Sequence, residues 1–224
     1  MQIVRAGQVA YGEMLDLQLK LVKKRQADEM EDTLILCEHP PVITLGKNAK
    51  REHILFSDEL LQSKGIEIFP ITRGGDVTFH GPGQLVGYPI VHLKSWNHSI
   101  RIFVDRVEES IIQFLGQNYH LHAQRISGLT GVWVEDSKIT AIGFAVQKWV
   151  TYHGFAFNIN TDLSYFNYIT PCGIQDKGVT SLEQVAGMKI PMEELIPAFC
   201  NTLTSTLPCN PHFIDLEEAK RQAM

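Results

Sequence analysis

Arg73-Gly74-Gly75-Asp76-Val77-Thr78-Phe79-His80-Gly81-Pro82-Gly83-Gln84 packs five glycines or prolines into one stretch, directly after the strand-like run of residues 66–72. Glycine lacks a Cβ and lets the backbone approach a ligand closely, and the same composition also suits a tight turn between two strands. The stretch is not a phosphate loop. It lacks the GxxxxGK[ST] order, and Gly81-x-Gly83 followed by Gly87 misses GxGxxG by one position.

Helical periodicity appears at Tyr11, Met14, Leu15, Leu19 and Val22, with Lys20, Lys23, Lys24 and Arg25 at the end where positive charge complements the helix dipole. Residues 33–38 and 42–46 read as two strands separated by Pro40-Pro41. Ser57 caps a short helix ended by Gly65. The clearest helix spans residues 100–119, where Ile100, Phe103, Val104, Val107, Ile111, Phe114 and Leu115 form one apolar stripe. Residues 132–134, a turn at 135–137 and residues 138–144 read as a hairpin, followed by a strand over 150–158. Residues 159–178 form a long loop. Thr180 with Glu183 makes a capping box for a helix ended by Gly187, and Pro191 opens a last long helix to about residue 207. Strands come in neighbouring pairs without strict alternation with helices. The expected architecture is α/β (α+β): one domain over residues 1–224 with a mixed, largely antiparallel sheet flanked by helices.

Composition narrows the function classes. The 224 residues carry 20 Lys and Arg against 25 Asp and Glu, a formal net charge of -5, which argues against nucleic acid as a partner. Apolar runs are only a few residues long, far short of the roughly 20 needed to cross a bilayer, so no membrane span is expected. The N-terminus lacks the pattern of a signal peptide, and a cytoplasmic location is expected. The four cysteines, Cys37, Cys172, Cys200 and Cys209, have no CxxC spacing. Cys37 sits in an apolar strand-like run and Cys200 in a helical stretch beside Phe199, and both read as core. Cys172 falls in the loop signal Thr170-Pro171-Cys172-Gly173.

Some candidates are weak singly. Lys138, opening a strand, reads by itself as a surface lysine. His153 within HGFAFN reads as a hydrogen-bonded structural histidine. His120 and His122 have no third ligand at a telling spacing, so no metal site is expected. Together, however, RGGDVTFHGPGQLVGYPI at 73–90, then GLTGVWV, SKITAIG, HGFAFNI and TPCGI, resemble the lipoyl(octanoyl) transferases in order and spacing. The resemblance covers most of the chain. It implies the fold of biotin and lipoate protein ligases, and transfer of octanoyl from octanoyl acyl carrier protein to lipoyl domains of 2-oxoacid dehydrogenase complexes and glycine cleavage H protein. It implies no cofactor. It selects Cys172 as the acyl-thioester nucleophile and Lys138 as its partner. Around the acyl group it places Arg73, Gly74, Gly75, Asp76, Val77, Thr78, Phe79 and His80, then Ala141, Ile142 and Gly143, then Gly154, Phe155 and Ala156.

These residue types suit the chemistry. A cysteine at its ordinary pKa of about 8.5 is only a few per cent thiolate at neutral pH, and a neighbouring ammonium that lowers it by about two units raises the reactive fraction more than tenfold. Exchange of one thioester for another needs no ATP, and the final amide is more stable than a thioester. Lys138, or a water it orders, is the candidate acceptor of the amine proton. Backbone N–H groups near Cys172, Gly173 or Gly74-Gly75 are candidate oxyanion donors, with His80 and His153 as side-chain alternatives. Lys47, Lys50 and Arg51 offer a local docking patch for an acidic carrier. Three rivals remain: an ATP-dependent lipoate or biotin ligase, which needs no cysteine nucleophile; a non-catalytic lipoyl-domain binder; and a Cys-His hydrolase using His80 or His153.

Overall fold

The polar start of the chain hides a strand. Residues Gln2–Gln8 (β1) bury Ile3 and Val4 completely, because β1 lies inside a sheet with a partner on each side. The computed structural model describes residues 1–170, 177–207 and 209–224. After β1 come α1 (Tyr11–Gln26), β2 (Thr33–Glu38), β3 (Val42–Leu45), α2 (Asp58–Ser63) and β4 (Glu67–Pro70). Next follow β5 (Val77–His80), β6 (Gln84–Ile90), α3 (Ile100–Tyr119), β7 (Ala123–Ile126), β8 (Leu129–Val134), β9 (Ser137–Gln147) and β10 (Val150–Asn158). The chain closes with β11 (Gly178–Val179), α4 (Leu182–Ala186), α5 (Met192–Thr206), β12 (His212–Ile214) and α6 (Leu216–Gln222).

Among the described residues, the main sheet runs in the order β12-β1-β2-β6-β10-β9-β8-β7, with β11 added beside β9; β4-β3-β5 form a second, small sheet. Pairing along β2-β6-β10-β9-β8-β7 is antiparallel and that of β12-β1-β2 is parallel, so the mixed, largely antiparallel sheet expected from the sequence is present. One face packs on α3 and α5, where Phe114, Phe157 and Phe199 are fully buried with ring centroids 5.4–6.2 Å apart. Edge-to-face aromatic pairs of this kind add about 0.5–1.5 kcal/mol each beyond area burial. The other face packs on α1 and α6 through Val4, Met14, Leu21, Ile35, Val86 and Ala219. A third cluster, including Ile43, Leu61, Val77 and Phe79, fills the space beneath the small sheet.

Several local expectations are met. Helix α3 has the bounds its apolar stripe predicts, Ser57 accepts a hydrogen bond from Leu60 N (3.3 Å), and Gly65 is left-handed with φ +70°. Others shift. The stretch from Arg73 to Gln84 is not one tight turn: it holds β5 and the start of β6. The cap after β11 is Ser181, whose Oγ accepts from Gln184 N, rather than Thr180, whose N–H is engaged by the Lys138 carbonyl. The long loop contains a 3₁₀ segment, Leu163–Tyr168, and β12 and α6 follow the helix expected to be last. No helix among the described residues is long and apolar enough to cross a membrane.

Candidate functional site

The floor of the site is made where β9 and β10 pair. Ala141 stands opposite Ala156 and Gly143 opposite Gly154, so four neighbouring positions carry nothing larger than a methyl group. Phe155, Phe157 and Ile142 point to the other face and join the α3–α5 core. The result is a trough in the sheet. The two glycines have separate causes. A Cβ on Gly154 would lie 1.9 Å from the Gly87 carbonyl oxygen, so close passage of β6 demands that glycine. A Cβ on Gly143 would stand 3.1 Å from Gly74 O and 3.2 Å from Arg73 Cδ, which means that Gly143 lets the Arg73 loop lie on the sheet.

That loop forms the roof. Gly74 N donates to Phe144 O (3.2 Å), and Arg73 is buried with Nη2 donating to both the carbonyl and the hydroxyl of Thr44 (3.0 Å each). Gly46 N and Lys47 N donate to Asp76 O and Arg73 O, and a Cβ on Gly46 would meet Gly75 O at 2.4 Å. Gly75 takes φ +87°, a conformation that an L side chain rarely adopts. Between floor and roof lies a cleft of about 450 Å³, lined by Arg73, Gly74, Gly75, Thr78, His80, Lys138, Ala141, Ile142, Gly143, His153, Gly154, Phe155 and Ala156 among others.

Three members of the expected set lie elsewhere. Alternation along β5 sends Thr78 and His80 to the cleft and sends Val77 and Phe79 into the core beneath the small sheet. Asp76 accepts from Val77 N through Oδ1 (2.7 Å), and its Oδ2 lies 2.5 Å from His53 Nδ1, so its carboxylate holds the loop. No motif or spacing pointed to His53, which sits in a 3₁₀ turn distant in the chain.

Lys138 reaches the cleft because of a bulge. Opposite β8, Val132 pairs with Thr140 but Trp133 pairs with Lys138, leaving Ile139 as an extra residue in β9. One extra residue reverses the parity of a strand, so Lys138 shares a face with Ala141 and Gly143 while Ile139 is fully buried in the core. The Lys138 ammonium stands 4.8 Å from the Trp133 ring centroid, a cation–π contact. Gly131, at φ +127°, has its missing Cβ 3.4 Å from Lys138 Cε and leaves room for that stem.

Cys172 lies outside the described residues. The chain on either side of residues 171–176 is anchored, upstream at the 3₁₀ turn that holds His53 and downstream beside Lys138 in the cleft. Upstream, Thr170 N donates to His53 O (2.8 Å) and Ile169 bridges Ile54; downstream, Gly178 and Val179 pair in parallel with Ser137 and Lys138. The other cysteines expected in the core are there: Cys37 and Cys200 are buried, and burial pushes the Cys200 thiol up to about 11.

The cleft is lined by neutral histidines. Burial, with His39 adding to it, pushes His80 down to about 3, and burial with the Arg73 charge pushes His153 down to about 4. His80 Nδ1 lies 2.8 Å from Gln84 Oε1, and its ring stacks on Tyr11 at 5.9 Å. His153 is held at φ +55° by Gln18, whose side-chain oxygen accepts from His153 N (2.9 Å). Gln18, Gln84 and Asn158 are buried polar residues that periodicity could not single out. On the surface, Lys50 lies 3.4 Å from Glu52 and Arg51 2.8 Å from Asp58, which offsets much of the expected basic patch. His120 and His122 are exposed.

Comparison with known proteins places this geometry in a family. The model for the lipoyl protein ligase A/B catalytic domain matches residues 10–204. A protein named octanoyltransferase from Desulforamulus reducens is 46% identical over 213 residues, covering 95% of this chain and 93% of that protein. Another from Caldicellulosiruptor saccharolyticus is 48% identical over 214 residues, covering 94% and 91%. In structure, the bipartite lipoate protein ligase from Thermoplasma acidophilum superposes with a TM-score of 0.72 at 16% identity, covering 100% of this chain and 91% of that one.

Proposed function

The chain belongs to the lipoyl protein ligase A/B catalytic domain family, and from that premise we propose that it transfers octanoyl from octanoyl acyl carrier protein to a lipoyl-domain lysine through a thioester on Cys172. The observation that carries the reading is the trough of Ala141, Gly143, Gly154 and Ala156, roofed by the Arg73 loop and with Lys138 in its lining. A groove of small side chains accepts an unbranched alkyl chain, whose methylenes gain roughly 0.8 kcal/mol each on burial. The six methylenes and the terminal methyl of octanoyl would contribute on the order of 5 kcal/mol.

In the first step the Cys172 thiolate attacks the donor thioester carbonyl, and the carrier's thiolate leaves. In the second, the lysine amine attacks the acyl-enzyme, the bond from carbon to Cys172 sulfur breaks, and the proton shed by nitrogen ends on that sulfur. The Lys138 ammonium favours the thiolate before each cycle. Acyl carrier and lipoyl-domain proteins are the partner classes, and the acceptors are the lipoyl domains of 2-oxoacid dehydrogenase complexes and glycine cleavage H protein. The ATP-dependent ligase reading makes a different demand. With a lipoyl domain as acceptor, octanoyl acyl carrier protein without ATP should give octanoylated domain, and free octanoate with ATP should not; the reverse pattern would overturn the assignment.

A further inference from the structure

A buried chain of hydrogen bonds fixes the proton on His80. At its far end Thr180 N donates to the Lys138 carbonyl (3.0 Å), and the Thr180 carbonyl accepts from Asn158 Nδ2 (3.0 Å). That bond orients the Asn158 amide, so its Oδ1 must accept, and it does so from Gln84 Nε2 (2.9 Å), which also donates to Phe79 O (3.2 Å). Gln84 therefore turns Oε1 toward His80, and only a protonated Nδ1 can satisfy the 2.8 Å contact. Every orientation follows from a carbonyl that can only accept. Gln84 and Asn158 are 1% and 3% exposed, so neither can turn to water instead.

A neutral imidazole with its proton on Nδ1 has a bare lone pair on Nε2. Among the described residues Nε2 has no hydrogen-bond partner, and the ring lines the cleft. Such a nitrogen offers nothing to an oxyanion, which removes His80 from the candidate donors. It suits an N–H instead.

We infer that His80 acts in the second half-reaction as a hydrogen-bond acceptor, its Nε2 holding one N–H of the attacking lysine amine so that the nitrogen lone pair faces the acyl carbon. The inference rests on the acyl-enzyme reading above. As the N–C bond forms, positive charge grows on nitrogen and strengthens that bond, whereas the first half-reaction brings no amine to the site. Burial keeps His80 neutral across the working pH range, so His80 orients the amine and does not keep its proton.

The tautomer is tested on the wild-type protein. A long-range ¹H–¹⁵N spectrum at pH 7, with His80 assigned by its loss in His80→Phe, should show a protonated Nδ1 and a bare Nε2; a proton on Nε2, or on both nitrogens, would overturn the inference. The role is tested by separating the half-reactions. In His80→Phe, which keeps a ring against Tyr11, single-turnover transfer from loaded enzyme to the lipoyl domain should fall roughly 10- to 100-fold further than octanoyl loading from the carrier does, the range for a charge-assisted hydrogen bond. An equal fall in both steps, or an unchanged second step, would overturn it. Failure of wild-type enzyme to load at all would overturn the acyl-enzyme reading instead.

Discussion

Ala141→Leu should convert an octanoyl-selective site into one that prefers shorter chains. Strand β9 rises about 3.3 Å per residue, so an acyl chain laid along the trough from Lys138 meets Ala141 roughly 10 Å on, at its last methylenes. Leucine adds three carbons where Ala141 and its cross-strand neighbour Ala156 carry only methyl groups. Displacing about three methylenes at roughly 0.8 kcal/mol each removes about 2.4 kcal/mol, close to a 50-fold loss in kcat/KM for octanoyl. A butanoyl donor ends short of the new side chain and should lose less than about threefold. The assay compares kcat/KM for butanoyl, hexanoyl and octanoyl carrier thioesters in wild type and variant, with thermal unfolding to confirm an intact fold. Equal losses at all three lengths, or an unchanged preference for octanoyl, would refute the placement of the chain in the trough.

Lys138→Ala should shift the pH profile of Cys172 alkylation upward by about one to two units, because the cation that favours the thiolate is gone; an unmoved profile would leave the pairing without support. Gly154→Ala forces a Cβ to within 1.9 Å of the Gly87 carbonyl and should cost about 3 kcal/mol or more, a Tm loss of roughly 6–12 °C, seen by calorimetry. His39, His80 and His153 are buried and neutral, at about 4, 3 and 4 against an ordinary 6.5. The unfolded chain binds more protons than the folded one below pH 6.5, so stability is full above that value and is lost as pH falls toward 4. At pH 5 the loss is on the order of 2 kcal/mol per histidine, and urea unfolding at pH 7 and pH 5 should show it. Equal stabilities at the two pH values would contradict the neutral-histidine assignment.

Much of this site was legible as residue types and little of it as geometry. The stripe of α3 and the Ser57 cap are local signals, and local signals survive folding. Strand β6 is buried along its whole length and shows no alternation, and the alternation of Val77-Thr78-Phe79-His80 in β5 runs for only four residues; glycines and proline around them read as a turn. Strand β1 is masked by its polar residues, two of which face outward or lie at a glycine irregularity. The Ile139 bulge cannot be read from β9, because it exists only in the register against β8, and without it Lys138 and Ala141 would face opposite ways. Asp76 shows the limit of a motif. Gly75 before it and Thr78 after it line the cleft, while its own carboxylate is turned to His53.

The most direct test of the acyl-enzyme is intact-mass spectrometry of protein quenched after mixing with octanoyl acyl carrier protein, with neither ATP nor acceptor present. The account predicts a single octanoyl adduct, mapped by peptide analysis to Cys172, that disappears when lipoyl domain is added and never forms in Cys172→Ala. Turnover by wild-type protein with no adduct, or an adduct on another residue that is passed on to the acceptor, would contradict it.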